Sequence, residues 1–202
     1  MGLIDLSALS IDDEDDFRHV GLYTDLRKIA LAAGKRALVL SPEGVQSWDR
    51  ASFLNHVFWD DETADVLCEA AMPADVLMHI AWHHLAHRGL RPSPEAGLLG
   101  ESIASAFDLY LVGRLLGHRP DSSFLESQVP RMLEAALAAG RSEAEFEQLL
   151  AFTSEQPETA FEEFRQLLFD ASTSLSAPLS PEAAAKLLSG FDRHRFGCLL
   201  HH

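Results

Sequence analysis

His79, His83 and His87 stand at four-residue intervals in the run His79-Ile-Ala-Trp-His83-His84-Leu-Ala-His87, so that four of the ten histidines fall within nine residues. Imidazole is the commonest side-chain metal ligand, and zinc accepts nitrogen and carboxylate donors in tetrahedral sites. Residues three and four apart share a helix face. At about 100° per residue the three rings span an arc of roughly 80°, with His84 projecting further round. Downstream, Glu101, Ser105 and Asp108 repeat the pattern with opposite charge. A buried carboxylate is costly unless it is paired or bound to a metal, so a histidine stripe facing an acidic stripe accounts for both. His83 and His87, one turn apart, with Glu101 on the next helix, make a three-ligand set for zinc or a similar divalent metal. His79 and Asp108 extend it.

The elements that must carry these residues are helices. Val76, Leu77, Ile80, Ala81, Trp82, Leu85 and Ala86 make the first run apolar on nearly every side. Leu98, Leu99, Ile103, Phe107, Leu109, Leu111, Leu115 and Leu116 do the same for the second. Gly89, Pro92 and Pro94 end one helix and allow another to start. The pattern predicts a mainly α fold, a helical bundle built around an antiparallel hairpin of about 73–89 and 97–116. Folding back near Ser93 sets Glu101 beside the His83–His87 turn and Asp108 near His79.

Further helical periodicity covers 23–33, 47–59, 63–71, 129–139, 142–153, 157–171 and 181–190, with Ser142 and Glu145 spaced as a capping box. Ala37-Leu-Val-Leu40 reads as one short strand or extended segment, with no obvious partner in the later sequence. The run Asp12-Asp-Glu-Asp-Asp16 reads as a solvated turn within an acidic, flexible segment of residues 1–20. With 202 residues and no linker or repeat, residues 1–202 read as a single domain, with a loose subdivision near 120–128.

A net charge of −15, from 16 basic and 31 acidic residues, argues against nucleic acid and anionic membranes as partners. An acidic surface points instead to a protein partner. Cys68 and Cys198 are too few and too far apart for a disulfide framework or a cysteine zinc site. No apolar stretch is long enough to span a bilayer, and the opening residues lack a basic leader region, so the chain reads as cytoplasmic. Trp48, Trp59 and Trp82, with Phe53 and Phe58, read as core or edge aromatics rather than a base-stacking platform, and His56 as a packing histidine. There is no phosphate loop and no nucleophile elbow.

His83-His84-Leu-Ala-His87 resembles the His-Glu-x-x-His helix of the zincin metallopeptidases, and Glu101 is similar to the downstream glutamate ligand of one branch. The resemblance covers about residues 79–108. It implies a zinc-dependent hydrolase in which His83, His87 and Glu101 hold the ion and Asp108 receives a ring N–H. The departure lies at His84, which occupies the position of the family's general-base glutamate. The resemblance therefore implies a degenerate relative in which His84, or a water relay, handles the proton.

Two other readings stand beside it. An iron or manganese carboxylate–histidine site would use His79, His83, Glu101 and Asp108, although the Glu-x-x-His motifs of di-metal bundles are missing. Alternatively the stripes are a hydrogen-bond network that fixes helix register in a regulatory or protein-interaction protein with no catalysis.

Overall fold

Ala37 and Leu38 are adjacent in sequence and both buried. Neighbouring residues of a strand point to opposite faces, so the strand that contains them is covered on both sides. It is the centre of a small mixed sheet. The computed structural model describes residues 2–39, 51–52, 64–67, 70–91, 93–176 and 180–201. These divide into two compact units, Met1–Pro92 and Ser93–His202. Among the described residues the fold is mainly α, with eight α-helices.

In the first unit, β1 (Gly2–Asp5) leads through a 3-10 turn to β2 (Ser10–Asp12), α1 (Glu14–Phe17) and α2 (Tyr23–Ala32). Then come β3 (Arg36–Val39), β4 (Ala51–Ser52), β5 (Ala64–Leu67), β6 (Ala71–Pro73) and α3 (Ala74–Gly89). The four-stranded sheet has the order β1-β3-β5-β4. β1 runs antiparallel to β3, with Leu3 opposite Leu38. β5 is parallel both to β3, with Leu38 opposite Val66, and to β4, with Ala51 opposite Ala64. β2 and β6 form a separate parallel pair, with Ile11 opposite Met72.

The strand expected near 37–40 does have partners, one on each side. The helix expected over 63–71 is not formed: Ala64–Leu67 is β5 and Ala71 opens β6. Of the helix expected over 47–59, Ala51–Ser52 is instead strand β4, and the other residues, with Trp48, Phe53, His56, Phe58 and Trp59, lie outside the described residues. Short apolar runs suit a strand or a buried helix equally, and pairing with distant strands decides between them. The acidic run is not simply a solvated turn. Asp12, Asp13 and Asp15 are exposed, but Asp16 and Phe17 are buried on α1.

α1 is tied to α2 by one carboxylate. Tyr23 Oη donates to Glu14 Oε1 at 2.5 Å, and Arg27 Nε donates to the same oxygen. The hydrogen bond from Tyr23, assisted by Arg27, holds the Glu14 carboxyl below its ordinary range. Burial, reinforced by Glu14, pushes the Tyr23 phenol up. Tyr23, Leu26 and Ala30 form the buried face of α2, at the spacing of one helical stripe, and α2 packs on α3.

The second unit is a helical bundle of α4 (Pro94–Leu116), α5 (Ser123–Ala138), α6 (Glu143–Glu155), α7 (Pro157–Leu175) and α8 (Pro181–Leu188), closed by 3-10 turns at Ser189–Phe191 and Gly197–His201. α4 is buried on most sides, from Gly100 through Phe107 and Leu111 to Leu115. It packs against α5, α6 and α7. At Gly113 the backbones close together: a Cβ there would lie 2.3 Å from the Thr153 carbonyl oxygen on α6.

The caps explain where these helices start. Ser93 Oγ accepts from the Ala96 N–H at 3.1 Å, and Pro94 at N1 needs no donor. Ser142 and Glu145 form the expected capping box. α5 begins earlier than the expected 129, because Ser122 Oγ accepts from the Leu125 N–H and Pro130 is tolerated inside the helix. The stretch near 120–128 thus lies within the second unit and holds this cap.

Candidate metal centre

α3 starts directly from β6, whose last residue, Pro73, is the helix N-cap. The parallel pairing of β2 with β6 therefore anchors the first turn of the histidine helix. Leu77, Met78, Ile80 and Ala81 are buried, and they set the rotation of α3 about its axis. That rotation carries His83 inward to 8% exposure, with His79 half-buried, His84 half-buried and His87 exposed.

The two histidines that meet are His79 and His83. Their Nε2 atoms stand 3.1 Å apart, with ring centroids 4.9 Å apart and planes inclined at 48°. Two imidazole nitrogens at that distance have two chemical options. One ring donates its N–H to the lone pair of the other, or both present lone pairs to a shared cation. Two nitrogens each about 2.0–2.1 Å from one zinc are roughly 3.3 Å apart at a tetrahedral angle, narrowing to about 3 Å at a right angle. The observed separation lies in that range.

His87 is not part of this contact. It sits with Arg88 in the last turn of α3, where a basic side chain favours the carbonyl end of the helix. The sequence marks His87 as the histidine nearest the helix end, while the equal four-residue spacing leaves the pairing itself open. His79 is followed by Ile80 and Ala81, whereas Arg88 and Gly89 follow His87 and mark the helix end. His84, next to His83, keeps its ring below the ordinary imidazole range, mainly through burial, aided by the charges of Arg88 and Lys35.

In the second unit, Ser105 Oγ donates to Glu101 Oε1 at 3.2 Å, so these two share a face of α4 as their spacing requires. The acidic stripe is less buried than expected: Glu101 is exposed, and Ser105 and Asp108 are half-buried. An ionised carboxylate keeps its hydration unless something replaces it. Of the sequence-designated ligands, α3 therefore carries one converging pair, His79 and His83, with His87 outside it, and α4 carries Glu101 and Asp108.

The chain matches no family model. No curated protein and no solved structure is significantly similar to it either. No helix among the described residues is long and apolar enough to cross a membrane.

Proposed function

We propose that this protein binds a divalent transition metal, zinc in the first instance, through Nε2 of His79 and Nε2 of His83. The observation that carries the reading is the 3.1 Å approach of these two nitrogens on successive turns of one anchored helix. The burial of His83 supports it, because a donor nitrogen removed from water has much to gain from a cation. A third donor is assigned from the sequence as Glu101, a carboxylate on the helix that follows the short connection after α3. His87 lies outside this ligand set. The zincin resemblance favours metal-assisted hydrolysis as the activity of such a centre, with His84 in the position where that family has its base.

The same 3.1 Å suits a neutral N–H···N hydrogen bond, and this specific geometry supports a second reading in which the pair fixes α3 without any metal. Elemental analysis of protein purified with zinc separates the two. Stoichiometric metal that is lost in His79→Ala and in His83→Ala, weakened in Glu101→Gln and retained in His87→Ala is the expected result. Protein that takes up no zinc, iron or manganese on reconstitution, while keeping its fold, rejects the metal reading.

A further inference from the structure

A second candidate site lies wholly within the helical bundle, and it is independent of the histidines. A cavity of about 250 Å³ opens where α6 meets α5 and the C-terminal turns. Phe146, Leu149 and Phe152 of α6 line it with apolar surface, and Arg141 and Arg195 line it with charge. In a chain with 31 acidic and 16 basic residues, two guanidiniums on one cavity are a local reversal of sign. Glu145 is the only acid lining it among the described residues.

That carboxylate is already committed. Its Oε1 accepts from Arg141 Nη1 at 3.2 Å. Its Oε2 accepts from the Ser142 N–H at 2.8 Å and from Ser142 Oγ at 2.9 Å. The arginines are held but not used up. Arg141 gives one further bond, from Nη2 to the Asp192 carbonyl at 3.1 Å. Arg195 pairs through Nε with Glu163 at 3.1 Å, while its guanidinium carbon lies 3.8 Å from the centroid of the Phe152 ring. Stacking on an aromatic face orients the guanidinium plane in advance. Each guanidinium has five N–H donors, so donors remain for a ligand. Cys198, at the cavity wall, is buried, and that burial pushes its thiol up, so it adds no competing anion.

We propose that this cavity binds a small apolar monocarboxylate, its carboxylate taken by Arg141 and Arg195 and its hydrocarbon body by Phe146, Leu149 and Phe152. A cavity of roughly 150 Å³ holds benzene and drug-sized pockets begin near 300 Å³, which sets the ligand at on the order of ten non-hydrogen atoms. Octanoate and 3-phenylpropionate are probes of that size and charge.

Calorimetric titration of the full chain tests the assignment, with octanamide as the uncharged control. The expected result is saturable binding of at least one acid, with a dissociation constant on the order of 1 mM or tighter, and much weaker binding of octanamide. Arg195→Gln weakens the acid roughly ten- to hundredfold, as loss of a charged hydrogen bond should. Gln148 is exposed at the cavity wall, so Gln148→Trp narrows the cavity without removing a core residue and lowers affinity with an unchanged circular dichroism spectrum. Should Arg195→Gln fail to fold, the tryptophan variant decides. Absence of saturable binding by both acids, equal binding of octanamide, or an affinity unchanged in the folded variants overturns the proposal.

Discussion

His83 Nε2 faces His79 Nε2 at 3.1 Å, one turn apart on α3, and this pair must share either a proton or a cation. If it is a cation, the folded state alone presents the site, and metal stabilises the fold by mass action. Free zinc at a hundred times its dissociation constant should raise the unfolding free energy by about 2.7 kcal/mol. Thermal denaturation with and without zinc measures this directly. The shift should vanish in His83→Ala and shrink as pH is lowered, because protons compete with the metal for the imidazoles.

Gly113 offers a prediction about packing. A methyl group there meets the Thr153 carbonyl oxygen at 2.3 Å, and the obstacle is backbone, so no side-chain rotation relieves it. Gly113→Ala should destabilise the protein by about 1–3 kcal/mol or more. Gly89 has nothing within 4 Å of such a methyl, and Gly89→Ala should be neutral or stabilising by up to ~1 kcal/mol. The two denaturant midpoints should move in clearly different ways.

His194 predicts a pH dependence. Burial, aided by Arg195 and opposed by Glu163, lowers its ring below the ordinary value of 6.5, and its Nδ1 accepts the Phe196 N–H at 3.2 Å. A histidine with a lowered folded-state value binds fewer protons folded than unfolded, so its contribution is full above about pH 6.5 and is lost as pH falls below that. Replacing it with asparagine keeps a neutral acceptor and removes the titration. Stability of His194→Asn should therefore fall less steeply than the parent's between pH 7 and pH 5 in urea denaturation series.

The capping box supplies a fourth test. Ser142 Oγ accepts from the Glu145 N–H at 3.3 Å, and the Glu145 carboxylate in turn accepts from the Ser142 N–H. Ser142→Ala should lower stability by about 1 kcal/mol. Loss of less than a few tenths in chemical denaturation would show that the box contributes nothing to the bundle.

The residues themselves determined the mainly α class, the spans of α2, α3, α4, α6, α7 and α8 to within a few positions, and the capping box at Ser142. These are local signals: a helix satisfies its hydrogen bonds within one segment, so period and caps are written side by side in the chain. The sheet was not legible in this way, because β3 finds β5 across a long stretch of chain and Ala64–Leu67 is too short to show its period. The histidine stripe was visible, but its working pair was not. His79–His83 and His83–His87 have identical spacing, and only the burial of Leu77, Met78, Ile80 and Ala81, which fixes how α3 is rotated, brings the first pair together and leaves His87 in solvent. The cavity between Arg141 and Arg195 is the extreme case, since no local pattern links residues so far apart. Tertiary packing alone places both guanidiniums at one apolar surface.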